Sequence, residues 1–163
     1  MKKTILLSLL FLTSISCAKT KKTENYKYID FELQKLSSTE TIKLSSFVGK
    51  NLILLNFLTT WCPYCVREIP QLKQLQEKYE DKGLKIIAVN IGEKETEVEK
   101  FVKKQDITYT VLLDLQGKVA RQYAVRGIPT NFLINLKGEI IFAGHHLPDE
   151  LLIERNLLKE NKK

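Results

Sequence analysis

Histidine, cysteine and proline are scarce in this chain: two, three and four residues of 163, beside seven glycines. Three cysteines cannot build the dense disulfide framework of a small secreted scaffold. A chain this long can bury roughly 70 % of its unfolded surface and needs no such framework. The two histidines are neighbours, His145 and His146, and neighbours in a strand point to opposite faces, so at most one could join a metal site with the cysteines. So little glycine and proline excludes a low-complexity or collagen-like chain. A membrane-spanning helix needs about 20 apolar residues, and the apolar stretches at 5–12 and 51–58 are much shorter. No basic block is interleaved with aromatics, so no nucleic-acid partner is expected.

What is present fits one globular domain: the apolar fraction is 44 % and the formal charge +7. The start of the chain reads differently. Lys2 and Lys3 precede the apolar run at 5–12, and small residues lead to Cys17. This is the pattern of a secretory signal over residues 1–16. The sequence Ser-Ile-Ser-Cys resembles a bacterial lipoprotein processing box, which makes Cys17 the expected lipidated first residue and tethers the protein to a membrane. Two cysteines then remain, with no thiol left over. Without residues 1–16 the charge is +5, suited to a negatively charged envelope surface. Residues 17–28 are polar and lysine-rich and read as a lipidated end and a flexible tether. The domain, 29–160, is expected to begin near Ile29.

Within it, alternation around Phe31 and Leu33 and around Ile42 and Leu44 predicts a hairpin. Residues 51–58 and 84–91 are near-continuous apolar runs, the pattern of strands covered on both faces. Between them Val66, Ile69, Leu72, Leu75 and Tyr79 recur at helical spacing and predict a helix over 62–80, with Pro63 in its first turn and Pro70 kinking its interior. Thr96 to Glu99 reads as a capping box opening a second helix. A strand at 110–113, a short helix at 117–125 and strands at 131–135 and 139–144 follow. The chain closes on a helix at 149–158 with Leu151, Leu152, Leu157 and Leu158 as its inner stripe. The order is a hairpin, then β-α-β-α-β-α-β-β-α. It predicts an α/β three-layer sandwich with a mostly parallel sheet, made mixed by an antiparallel closing pair at 131–144, and helices on both faces.

Cys62-Pro63-Tyr64-Cys65 opens the first long helix. Cysteines three apart on a first turn share a side and can close a disulfide. The helix N-terminus offers free N–H groups and about half a positive charge, which stabilise a thiolate at Cys62. That thiolate can attack a disulfide, and Cys65 can resolve the mixed disulfide. Trp61 is expected to screen one side of the pair, with Pro63 and Tyr64 tuning it. Glu68 lies on the helix side facing the pair, where a half-buried carboxylate could take and return the Cys65 proton. A cis Ile128–Pro129 bond beside the pair would present the Ile128 backbone to an extended substrate strand. Plainer readings stay open for each: a structural disulfide or half a zinc site, a solvated helix glutamate, and an ordinary trans proline at a strand start.

Taken together, LILLNFLTTWCPYC, REIP, LKIIAVNIGE, VLLD and GIPTNFLINLKGEI resemble the TlpA/ResA-like branch of the thioredoxin superfamily, the redoxin or cytochrome c biogenesis type. The resemblance runs from about Phe31 to Leu158. It implies a thioredoxin-like fold with an inserted β-α element at about 83–106. It also implies an exported thiol–disulfide oxidoreductase needing no cofactor and no metal. Such a protein reduces disulfides in envelope proteins, apocytochrome c among them, with electrons from a membrane donor of CcdA/DsbD type. On that resemblance Cys62 and Cys65 are the active pair, Glu68 the active-site glutamate and Pro129 the cis-proline. The chain departs from the branch in having Pro-Tyr between the cysteines, and from thioredoxins proper in having Asn56 where they carry a buried aspartate. Two other functions fit the same cysteines: a copper-binding lipoprotein using Cys62, Cys65 and one histidine, and a thiol peroxidase using Thr59 and Cys62.

Overall fold

The computed structural model describes residues 26–160. The signal at 1–16, Cys17 and the tether up to residue 25 lie outside the described residues. The last of the expected tether, 26–28, is part of the domain. Tyr28 N–H donates to Gly138 O (2.9 Å), Ile140 N–H donates to Tyr26 O (2.7 Å), and Lys27 bridges Glu139. The partner of this segment is a turn more than a hundred residues away, so no local pattern could mark it. Gly138 is required there twice over. Its φ is +74°, and a Cβ would stand 2.8 Å from the Tyr28 ring.

The elements follow in the expected order: β1 (Glu32–Lys35), β2 (Thr41–Lys43), β3 (Leu52–Leu58), α1 (Pro63–Tyr79), β4 (Leu84–Ile91), α2 (Glu95–Gln105), β5 (Thr110–Asp114), α3 (Lys118–Gln122), β6 (Thr130–Ile134), β7 (Ile140–Gly144) and α4 (Glu150–Glu160). The strands form one sheet in the order β2-β1-β5-β4-β3-β6-β7. β3, β4 and β5 run parallel, and every other pairing is antiparallel. The sheet is therefore mixed and its middle parallel, the thioredoxin-like arrangement expected.

β3 explains the architecture. All seven of its residues are buried, because helices cover both faces of the sheet. Leu52, Leu54 and Leu58 pack with α1, α2 and α4 through Ile69, Leu72, Val98, Phe101, Ile153 and Leu157. Ile53, Leu55 and Phe57 face α3 and the N-terminal segment through Val119, Ala120, Tyr123 and Phe31. Phe57 meets Tyr123 and Phe132 at ring centroid distances of 5.4 and 5.9 Å. Each such buried side chain contributes about 1.5–3 kcal/mol relative to exposure. One polar residue interrupts the run: Asn56, on the α1 side.

Two local expectations are corrected. Helix α2 begins one residue before Thr96, with Lys94 as its N-cap and no side-chain cap. Two acids of its first turns serve another purpose: Glu95, just before the expected capping box, and Glu99, its last residue, accept hydrogen bonds from Ser37 N–H (3.0 Å) and Ser37 Oγ (2.7 Å), tying α2 to the β1–β2 turn. In α4 the inner stripe is Ile153 and Leu157, with Leu152 half-buried, while Leu151 and Leu158 are exposed. Two leucine pairs left the helix face ambiguous, and packing chose the phase that includes Ile153. Helix α1, Pro63–Tyr79, carries Pro70 in its interior.

Candidate active site

The site lies where β3 ends and α1 begins. The loop between them is held by Glu93, from the β4–α2 loop. Its carboxylate accepts from Thr60 N–H (2.7 Å), Thr60 Oγ1 (2.5 Å) and Asn90 Nδ2 (2.6 Å). Cys62 is then the N-cap of α1, with Pro63 as the first helical residue. Its side chain takes the place usually held by serine or aspartate: Sγ accepts the Cys65 backbone N–H at 3.3 Å. The thiol of Cys62 also points at Ile128 O, 3.6 Å away. Both thiols are free, and each cysteine is only 3 % exposed. The pair therefore lies just beneath the surface. Trp61 and Tyr64 are 71 % and 64 % exposed, so most of each ring faces solvent beside the pair. The Arg67 guanidinium stacks 4.2 Å over the Tyr64 ring.

The two sulfurs differ in environment. Cys65 is held well above the ordinary thiol range, first by burial, then by its hydrogen bond to Cys62, with the neighbouring Glu68 charge adding to the effect. A thiol so placed attacks only when a base removes its proton.

Opposite the pair, the Ile128–Pro129 bond is cis. The loop around it is fastened from two sides. Thr130 Oγ1 donates to Gly127 O (2.6 Å), and His145 Nδ1 lies 2.9 Å from Pro129 O and 3.3 Å from Thr130 Oγ1. A carbonyl only accepts, so His145 carries its hydrogen on Nδ1. His145 thus serves this loop, and His146 packs edge-on against Phe142. Among the described residues no three His, Cys, Asp or Glu side chains are grouped to hold a metal. The Thr59 hydroxyl is buried without a hydrogen-bond partner.

Glu68 is half-buried beneath the first turn of α1. Asn131 Nδ2 lies 3.1 and 3.3 Å from its two carboxylate oxygens, and Asn56 Nδ2 lies 3.4 Å from one of them. Burial raises its pKa, the Asn131 bond and the His146 charge oppose, and the net direction is upward. The folded protein therefore binds this proton more tightly than the unfolded chain does. Stability falls as pH rises from the unfolded carboxyl range, about 4.3, through the folded value. Glu68→Gln has no such dependence. It is expected to be more stable than the wild type above that window and to lose the advantage at acid pH. Urea unfolding midpoints across pH read this directly; a wild type that gains stability over the variant as pH rises would contradict it.

The sequence assigns no role to Asn131, Glu93 or the buried Tyr109, and offers His145 only as a metal ligand. Asn131 carried a visible signal, as did Asn56, which was noted only as a departure from thioredoxin: each is a polar residue on the inner face of an otherwise apolar strand. Glu93 and His145 carried none, because each acts on a loop distant in sequence.

The sequence and the architecture have counterparts among known proteins. A family model described as AhpC/TSA matches residues 25–143. The chain belongs to the AhpC/TSA family. Within this family it is similar to thiol-disulfide oxidoreductase ResA of Geobacillus kaustophilus, 39 % identical over 78 % of this chain and 72 % of that protein. It is 37 % identical to the ResA protein of Bacillus thuringiensis, over 74 % of this chain and 66 % of the relative. A Chlorobium tepidum crystal structure, described as a thiol:disulfide interchange protein of DsbE type, superimposes with a TM-score of 0.72. It is 33 % identical, covering 83 % of this chain and 95 % of that one. This AhpC/TSA member is a thiol–disulfide oxidoreductase of ResA-like kind.

Proposed function

We propose that the protein reduces disulfides in exported envelope proteins, the haem-binding thiols of apocytochrome c being one fitting client. Cys62 attacks a substrate disulfide: the Cys62–substrate S–S bond forms, the substrate S–S bond breaks, and one substrate thiolate leaves. Cys65 gives its proton to Glu68 and attacks Cys62. The intramolecular disulfide forms and the second substrate thiolate departs, taking up a proton. The substrate gains two electrons and the Cys62/Cys65 pair loses them. A membrane-bound dithiol donor of CcdA/DsbD type returns the pair to the reduced form. Substrate lies as an extended segment along Ile128 and the cis Pro129, with Trp61, Pro63 and Tyr64 as its apolar rim.

The observation that carries this reading is the N-cap geometry of Cys62, whose Sγ accepts the Cys65 amide at 3.3 Å beside Ile128 O. The backbone N–H donated to Sγ there suits this sulfur both to attack and to leave. Thiol–disulfide exchange as the activity is supported by similarity to thiol-disulfide oxidoreductase ResA proteins, and the reductase direction, the donor and the client follow from the motif resemblance to the TlpA/ResA-like branch. Export through residues 1–16 and lipid attachment at Cys17 are supported by the leader pattern in the sequence. The test is catalysed reduction of insulin disulfides by the purified protein with dithiothreitol as electron source. Acceleration by the wild type is expected, and a wild type that leaves the uncatalysed rate unchanged removes the reading.

A further inference from the structure

Asn56 and Asn131 are directly opposed in the β3–β6 pairing. They are 2 % and 0 % exposed and sit on the sheet face otherwise built of Leu52, Leu54, Leu58 and Leu133. Two primary amides in such a place are costly unless their hydrogen bonds are made. Asn56 Nδ2 donates to Asn131 Oδ1 at 2.7 Å. That bond turns the Asn131 amide so that its own Nδ2 spans both oxygens of Glu68, at 3.1 and 3.3 Å. The remaining reach of Asn56 goes to the same carboxylate, at 3.4 Å. Both amides thus present donors to one acceptor from below, while α1 presents the acceptor from above. An amide that donates to both oxygens favours the ionised carboxylate over the acid, since the acid needs one oxygen for its proton.

We infer that Asn131, braced by Asn56, is a positioning residue that holds the Glu68 carboxylate in place below the cysteine pair and keeps it available as the acceptor of the Cys65 proton. The inference rests on the reading of Glu68 as proton carrier and names what controls it. The other ionisable groups facing the carboxylate are Cys65 on α1, His146 after β7 and Tyr109 before β5. His146 favours the ionised form. Cys65 and Tyr109, once ionised, oppose it. None of the three makes a hydrogen bond to the Glu68 carboxylate among the described residues, so the two asparagines supply its only amide donors there.

The test uses the reduced protein carrying Cys17→Ser, so that only Cys62 and Cys65 can react, and Ellman's reagent. Cys62 attacks the reagent and releases one thionitrobenzoate. Cys65 then attacks Cys62 and releases the second, so the second phase reports the Cys65 step across pH. Asn131→Ala is expected to move the midpoint of that phase to higher pH by about one unit, the scale of one lost charge-stabilising hydrogen bond. Asn131→Ser keeps a small donor and is expected to shift it less, and it carries the test should the alanine variant fold poorly. Glu68→Gln is expected to remove the ionisation from the profile, and adding Asn131→Ala to it should change nothing further. A purely structural role for Asn131 would lower folded amplitude and leave the midpoint in place. An unmoved midpoint in both Asn131 variants, with the profile still abolished by Glu68→Gln, overturns the inference and spares the base. A profile that survives Glu68→Gln overturns the base and the inference with it.

Discussion

Cys62→Ser is expected to bring insulin-disulfide reduction down to the uncatalysed rate, a loss on the order of 10³-fold or more, as when a covalent nucleophile is removed from other enzymes. The variant separates chemistry from folding. Serine is among the best N-cap residues, and its oxygen can accept the Cys65 N–H that Cys62 Sγ accepts at 3.3 Å. Helix α1 should therefore start where it does now, and the fold should hold. What disappears is the sulfur that forms the mixed disulfide. Turbidity from the released insulin B chain reads the rate, and far-ultraviolet circular dichroism reads the fold. A folded Cys62→Ser protein that keeps most of its activity would mean that another sulfur attacks.

The second large effect concerns Cys65→Ala. Alanine suits the first turn of a helix, and the substitution leaves the backbone N–H that donates to Cys62 Sγ untouched. Attack by Cys62 should proceed, and the resolving step should not. The mixed disulfide between Cys62 and a client is expected to persist until an added small thiol releases it, where the wild type would clear it within the catalytic cycle. Non-reducing electrophoresis of envelope extracts, followed by mass spectrometry of the adducts, checks this. Adducts bridged through Cys62 are the expected product. If none accumulates, Cys65 is not the resolving thiol.

Much of this was legible in the sequence, and for identifiable reasons. The runs LILLNFL and LKIIAVNI are apolar on both faces, which only central strands of a covered sheet require, and they became β3 and β4. The CPYC segment announced a helix start through Pro63 and the spacing of Ile69, Leu72 and Tyr79, and Cys62 is the cap. Errors fell where short-range pattern underdetermines the answer. Thr96 resembled a cap, but the helix enters from Lys94, and the acids beside it are engaged by Ser37 across the β1–β2 turn. The leucine pairs of α4 fit two helical phases equally well.

The residues of the candidate site were visible in the sequence, and what supports them was not. Sequence spacing put Glu68 on the side of α1 that faces the pair, which needs only helical geometry. The Asn56–Asn131 pairing beneath it depends on the β3–β6 register, a contact that no local rule supplies. The same holds for Glu93, which fastens Thr60 from another loop, and for His145, which fastens the Pro129 carbonyl from the end of β7. Polar residues in apolar strands were the one visible trace, since a buried amide in a strand must have a partner.

Cys62 is expected to be the sulfur that reacts first. Brief alkylation of the reduced wild-type protein with a limiting amount of iodoacetamide at neutral pH, followed by peptide mapping, measures it. Label is expected on the helix-capping sulfur of Cys62, with Cys65 left unmodified, because burial and its own hydrogen bond keep the second thiol protonated. Label found mainly on Cys65, or divided evenly between the two, would contradict the assignment of attacking and resolving roles.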